Sequence, residues 1–264
     1  MPHPSPPQTR YTSQIIIPAR LASTRLPRKL LLDKTGMPLI CHTYQAATRS
    51  TRASGICVAA DHEKIVQAVQ AYGGQAVMTN PNARCGTDRV AEVARRMPEI
   101  DFFVNVQGDE PEIAGEAIDQ VIELLEEDPH AVMATLATPI RTREQLEDPA
   151  CVKVVFDSRG RAMYFSRSVI PHPRGWHNDL LNAQPAHFYQ HIGLYAYRRN
   201  FLLELSQMPA ARTESLESLE QLRVLEAGYS ITVGVTDHAT IGIDTPGDYH
   251  AFVERYRATQ RQAG

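Results

Sequence analysis

The chain has 264 residues, enough for one large α/β domain or two small ones. Hydrophobic residues make up 43% and charged residues 22%, the balance of a soluble globular protein with a sizeable core. A formal net charge of -3 argues against a broad basic surface for nucleic acid, and no apolar run approaches the length of a membrane span. The cysteines Cys41, Cys57, Cys85 and Cys151 show no C-x-x-C spacing for zinc or redox chemistry, and fit reduced thiols in a cytoplasmic protein.

Residues 1–13, with prolines at 2, 4, 6 and 7 and no apolar h-region, read as a disordered leader rather than a signal peptide. A buried strand follows at 14–17, ended by Pro18, and then a cationic loop at 19–29. A 3.6-residue period in Leu39, Ile40, Thr43, Tyr44 and Ala47 predicts a helix over 38–47. A strand is expected at 55–60, then a helix capped by Asp61, with Ile65, Val66 and Val69 inward and Gly73-Gly74 as its stop. A strand at 76–79, a loop at 80–86, a helix at 87–97, a strand at 102–106 and a helix at 114–127 follow. Strict alternation of strand and helix implies a mostly parallel sheet with crossover helices.

The second half is less regular. Strands are expected at 132–139, 152–156 and 161–165, the last two joined by a turn at 157–160. A loop at 170–186, a strand at 193–197 and a helix at 200–207 come next. A helix is predicted over 216–227 with Leu216, Leu219 and Leu222 or Val224 inward and Glu220 and Gln221 off that stripe. Strands at 231–235 and 239–243 and a helix at 246–257 complete the chain. With no internal repeat and no clear linker, one domain over 14–264 with an inserted subregion near 140–210 fits best.

The loop after the first strand carries Arg20, Arg25, Arg28 and Lys29, hydroxyls on Ser23 and Thr24, and no acidic residue. Uncompensated cations at a strand end invite an anion, although several arginines on a loop also suit a solvated face. The loop has neither the glycines nor the Lys-Ser/Thr pair of a Walker loop, and no Rossmann fingerprint. Asp109 follows a buried strand beside Gly108, a placement suited to magnesium, which takes one or two carboxylates plus phosphate oxygens. Asp244 also follows an apolar stretch; its competing role is to cap the last helix ahead of Pro246. Glu110 reads as a solvated rim residue. Arg167, at the end of a strand, suits a carboxylate, and His191 and Tyr195, four apart in a strand, share a face.

Taken in order, these segments resemble one family. They are IIIPARLASTRLPRK at 15–29, VAADHE at 58–63, CGTDR at 85–89, NVQGDEP at 105–111, VKVVFDSRG at 152–160, YFSR at 164–167, HIGLYAYRR at 191–199, ESLEQLRVLEAG at 217–228 and GIDTP at 242–246. The set is similar to the 3-deoxy-manno-octulosonate (Kdo) cytidylyltransferases. The resemblance implies a GT-A-like α/β nucleotidyltransferase fold, a homodimer joined largely through the inserted region, and a need for Mg2+. It also implies transfer of CMP from CTP to the anomeric 2-hydroxyl of Kdo, with release of pyrophosphate, for lipopolysaccharide biosynthesis.

By the same resemblance, Arg20, Lys29 and Asp109 are catalytic. Ala19, Arg20, Ser23, Arg25, Lys29, Ala59, Ala60, Cys85, Gly86 and Gln107 meet the nucleotide, and Asp109 and Asp244 hold the metal. Arg167, His191, Tyr195, Glu220 and Gln221 meet the sugar acid. The chain departs from the family pattern at Arg28, where glycine is common, at Cys85, where serine is common, and at Ala83 and Gln190. Other readings consistent with the residues are a cytidylyltransferase for another small acid such as a phosphonate or amino-sugar acid, a GT-A glycosyltransferase, and a catalytically silent nucleotide-binding protein.

Overall fold

Ile15, Ile16 and Ile17 have no exposed surface, because the strand that carries them is covered by helices on both faces. That strand, β1 (Ser13–Ala19), lies between β2 (Gly55–Ala60) and β4 (Phe102–Asn105) and is parallel to both. β3 (Ala76–Met78) extends the parallel set beyond β2. On the other side come β5 (Ala131–Pro139), β8 (Tyr189–Arg198) and β9 (Ser230–Val235), giving the order β3-β2-β1-β4-β8-β5-β9. β8 runs antiparallel to both β4 and β5, whereas β5 and β9 are parallel. β6 (Lys153–Phe156) and β7 (Ala162–Ser166) form a hairpin that joins the sheet where Lys153 meets Gln190 of β8. The structure, a computed structural model, describes residues 11–238 and 241–263.

Alternation along the strands divides the core in two. Ile15, Ile17, Val58, Val104 and Ala196 face α1 (Leu39–Ala47), α2 (Glu63–Ala71), α4 (Gly115–Glu127) and α9 (Pro246–Ala263). Ile16, Ala59, Phe103, Met133 and Tyr197 face α3 (Gly86–Arg95), α6 (Arg199–Leu205) and α8 (Gln221–Glu226). Burial of such side chains, at about 1.5–3 kcal/mol each, is the main favourable term holding the layers together. The stretch between β5 and β8, which includes α5 (Arg143–Glu147), adds a satellite core of Ile140, Leu146, Cys151, Leu181 and Phe188. Lys153 is fully buried there, its ammonium donating to the carbonyls of Asp148, Cys151 and Arg167 at 2.9, 2.6 and 2.6 Å.

The structure corrects several sequence expectations. Most of the expected leader, residues 1–10, lies outside the described residues, but Tyr11 stacks on Phe102, Thr12 binds Asp101, and Ser13 opens β1. Pro18 does not end the first strand. β4 stops pairing with β1 at Ile16, so no ladder partner is lost where proline lacks its N–H. Asp61 does not cap α2. The cap is His62, whose Nδ1 accepts from Lys64 N at 3.1 Å, while Asp61 accepts from Leu21 N at 2.8 Å. No strand forms at 241–243, and the rest of the strand expected over 239–243 lies outside the described residues.

The helix expected over 216–227 is two helices, α7 (Arg212–Glu217) and α8, with Ser218 at φ 53 between them. A left-handed serine interrupts the helical period, so Leu216 is 76% exposed while Gln221, expected off the apolar stripe, is 4% exposed.

Candidate active site

Because β1 and β4 are adjacent and parallel, the loops leaving their C-terminal ends lie side by side, the usual place for a ligand in an open α/β sheet. Gly108 lets them approach closely. A Cβ there would sit 3.1 Å from the Pro18 carbonyl and 3.2 Å from Ile40, and the Gly108 carbonyl accepts from buried Thr43 at 2.9 Å. The loop after β1 closes in a short 3-10 turn, Lys29–Leu31, which buries Leu30 and turns Lys29 back toward the sheet. Arg28, where the resembling family favours glycine, enters this turn at φ 52 and ψ 34, the left-handed conformation that glycine adopts at least cost.

Lys29 Nζ lies 2.6 Å from Asp109 Oδ2 and 2.9 Å from Asp244 Oδ1. Arg25 reaches the other oxygen of Asp244 at 2.9 Å. The two acidic segments are stitched by backbone as well, since Ile243 N donates to the Asp109 carbonyl at 2.9 Å and Ile243 is fully buried. The choice between capping and ligand duty for Asp244 resolves locally. Asp248 Oδ2 accepts from the backbone of Asp244 and Thr245 at 3.1 and 2.7 Å, and Asp248 N donates to Thr245 Oγ1 at 3.2 Å. That reciprocal cap starts α9 and leaves the Asp244 carboxylate free for the crevice.

Two carboxylates from distant parts of the chain thus converge on one cationic nitrogen, the donor set that a hard divalent ion takes with phosphate oxygens and water. Among the described residues no three His, Cys, Asp or Glu side chains gather into a metal-binding group. The two carboxylates at Lys29 are oxygen donors of the kind that fit magnesium. Glu110, expected on a solvated rim, is 8% exposed.

A cavity of about 420 Å³ is lined by Ala19, Arg20, Ser23, Arg25, Lys29, Gln107, Asp109 and Asp244, so the cationic loop and both aspartates share one crevice. A second cavity of about 360 Å³ adjoins it and contains His191, Tyr195 and Gln221. Cys85, Gly86, Gln107 and Glu220 line both, forming the neck between them. Burial, then the nearby Glu220 carboxylate, raises the Cys85 thiol to about 11, so it stays protonated at neutral pH.

The floor of the second cavity is the sheet, with Asn105, Met133, His191, Tyr195 and Tyr197. Its roof is the start of α3 and the break between α7 and α8. The His191 and Tyr195 rings lie 5.4 Å apart, and Phe165 meets the His191 ring edge-on at 5.0 Å. Burial lowers His191 to about 3, which leaves it neutral, and raises Tyr195 above its ordinary value, which keeps the phenol protonated. Glu220 accepts from Thr87 Oγ1 at 2.7 Å.

Three site expectations are not met by the geometry. Arg167 lines neither cavity: its guanidinium donates to the carbonyls of Glu217 and Pro149 at 2.8 and 3.1 Å. Glu217 in turn accepts from Ser166 Oγ and Arg167 N at 2.6 and 2.9 Å, so Arg167 anchors the turn that presents Glu220 and Gln221. Ala59 and Ala60 have no exposed surface and line neither cavity. The Ala60 carbonyl is taken by Thr79, through its N–H at 2.8 Å and its hydroxyl at 3.0 Å. Sequence reasoning passed over Thr87, Asn105, Tyr197 and Arg84 in the walls. Three of them sit inside or beside the motifs CGTDR and NVQGDEP, and Tyr197 lies inside HIGLYAYRR, two residues after Tyr195 on the same face of the strand.

A family model described as Cytidylyltransferase matches residues 14–231. The chain is 49% identical over 242 residues to the 3-deoxy-manno-octulosonate cytidylyltransferase of Rhodopirellula baltica, covering 91% of this chain and 97% of that one. It is 48% identical over 246 residues to the protein of the same name from Geotalea uraniireducens, covering 92% and 98%. A solved structure described as CMP:2-keto-3-deoxy-manno-octonic acid synthetase complexed with CTP superposes with a TM-score of 0.84 at 41% identity, over 96% of this chain and 100% of that one. On this agreement of sequence, fold and crevice, the chain belongs to the 3-deoxy-manno-octulosonate cytidylyltransferase family within the Cytidylyltransferases.

Proposed function

We propose that this protein transfers CMP from CTP to the anomeric 2-hydroxyl of Kdo, giving CMP-Kdo and pyrophosphate for lipopolysaccharide assembly. The observation that carries this reading is the convergence of Lys29 on Asp109 and Asp244 in a cationic crevice that opens into a second, sugar-sized cavity. The first cavity takes the triphosphate, with Arg20, Arg25, Lys29 and Ser23 supplying donors to its oxygens. The neck at Cys85, Gly86 and Gln107 takes the nucleoside, and the second cavity takes the sugar acid, with His191, Tyr195, Glu220 and Gln221 as its polar contacts.

The sugar hydroxyl oxygen then bonds to the α-phosphorus, its proton passing to water, as the bond to pyrophosphate breaks in line with it. Arg20 and Lys29 face the charge that builds on the α-phosphoryl oxygens and the leaving group. Their catalytic effect is positioning and electrostatic stabilisation. Asp109 and Asp244 would hold Mg2+, which would supply neutralisation of phosphate charge. A protonated Cys85 and a neutral His191 add no negative charge near the anionic substrates.

Two further parts of the reading concern assembly and location. A homodimer is supported by the exposed Met163 (65%) on β7, a strand whose only ladder partner among the described residues is β6. A cytoplasmic location is supported by four unpaired thiols, and no described helix is long and apolar enough to cross a membrane.

Pyrophosphate release should be measured with CTP and a panel of sugar acids and phosphonates, with and without Mg2+, and the mass checked by light scattering. Turnover with Kdo that requires the divalent ion is the expected result. Turnover only with a different acid, or none from CTP, overturns the assignment.

A further inference from the structure

Thr135 of β5 is fully buried, has no exposed surface to offer a ligand, and yet its hydroxyl makes three polar contacts. Thr135 Oγ1 lies 3.0 Å from the Ile192 carbonyl, 2.9 Å from the Leu194 carbonyl and 3.0 Å from His191 Nε2. The site exists because β8 bulges against β5. Leu136 pairs with Ile192 but the preceding Thr135 pairs with Tyr195, so Gly193 and Leu194 are extra and two carbonyls point at one side chain.

A hydroxyl has one hydrogen and two lone pairs. Both carbonyl oxygens are pure acceptors, so the Thr135 hydrogen is committed to them. What Thr135 turns to His191 is a lone pair, and Nε2 must then carry a hydrogen. The neutral ring has only one, so Nδ1 is bare. No hydrogen bond to Nδ1 comes from any other described residue, and His191 is part of the wall of the second cavity. The ring is also held by Phe165 edge-on and by Tyr195. The buried surroundings that keep His191 neutral down to about pH 3 reinforce the same state.

We infer that Thr135 is a positioning residue that fixes His191 as the Nε2–H tautomer, so that Nδ1 is a hydrogen-bond acceptor for a hydroxyl of the sugar acid. This rests on the proposed function for the sugar partner but not for the tautomer, which is a property of the free protein. A bare nitrogen accepts from a hydroxyl and repels a carboxylate. His191 therefore selects for a hydroxyl at its position on the ligand, and the acid group must be bound by other residues.

Two measurements decide it. The first is the two-bond 15N–1H imidazole spectrum of the free wild-type protein and of Thr135→Val and Thr135→Ser, with melting curves to confirm folding. The second is KM for Kdo and for CTP in the same proteins. Expected are an Nε2–H ring in the wild type and in Thr135→Ser, and a shifted or mixed tautomer in Thr135→Val. With the shift, KM for Kdo should rise about tenfold while KM for CTP stays within about twofold, the scale of one lost or misdirected hydrogen bond. An Nδ1–H ring in the wild type overturns the proposal without any variant being made. So does a Thr135→Val ring that keeps its tautomer, or a changed tautomer that leaves KM for Kdo unmoved. A wild-type protein that ignores Kdo altogether overturns the functional reading and the sugar contact with it, while the spectrum still reads the Thr135–His191 arrangement.

Discussion

Asp109 is held from two sides, by Lys29 Nζ at its carboxylate and by Ile243 N at its carbonyl. Replacing it by asparagine keeps the shape and removes one of the two carboxylates proposed to hold the divalent ion that offsets phosphate charge. Asp109→Asn should lower kcat by at least roughly a hundredfold, the scale of losing one main electrostatic stabiliser. A steady-state pyrophosphate assay reads this, and near wild-type turnover would remove Asp109 from the mechanism. His191 carries a prediction of the opposite kind, about stability. The unfolded ring takes a proton below about pH 6.5, but the folded ring stays neutral down to about 3. Below pH 6.5 the unfolded state therefore binds more protons, and stability falls as pH falls. Its contribution to the slope reaches about 1.4 kcal/mol per pH unit. Urea unfolding of wild type and His191→Asn between pH 7 and 4 should show the steeper acid loss in wild type. Parallel curves would show that the ring is not held neutral.

Much of the architecture could be read from individual segments, and the failures have local causes. Strands β1, β2 and β4 are apolar and β-branched or aromatic, and the helices between them keep their period, so the parallel half followed from pattern alone. The convergence of the loop after β1 with Asp109 and Asp244 was likewise expected from motifs, as was the pairing of His191 with Tyr195. The break between α7 and α8 was not, because the residue at φ 53 is Ser218 and no glycine marks the stop. Arg167 was misplaced because an arginine after a strand gives no sign of whether its partner is a ligand or, as here, the carbonyl of Glu217. Thr135 gave no signal at all, since its role depends on a bulge in the neighbouring strand. The break itself is testable. Ser218→Ile places a β-branched residue in left-handed backbone, at a cost on the order of 1–2 kcal/mol. It should raise KM for Kdo more than KM for CTP, because Glu220 and Gln221 follow it by two and three residues. Equal effects on both constants would disconnect the break from sugar binding.

At the scale of the whole molecule, the adjacent β1 and β4 set the two catalytic loops beside each other, and β8, inserted antiparallel after β4, adds the sugar-side wall. The crevice is thus a product of strand order. A nucleotide bridging these parts binds the folded state alone. At one hundred times its dissociation constant, CTP with Mg2+ should add about 2.7 kcal/mol of stability, a rise in Tm of about 5–10 °C for a chain of this size. Differential scanning fluorimetry measures it. The same rise in Asp244→Asn as in wild type would place the triphosphate elsewhere.

The bond from Ile243 N to the Asp109 carbonyl has a consequence for how the enzyme is born. Lys29 finds Asp109 80 positions away but Asp244 215 positions away, so during synthesis the acidic pair is completed only after the segment carrying Asp244 has left the ribosome. Until that segment docks, a nascent chain owns the cationic loop and only one of the two carboxylates that meet Lys29. Catalytic competence should therefore appear abruptly once that segment has emerged and docked, all at once rather than in step with growth of the sheet.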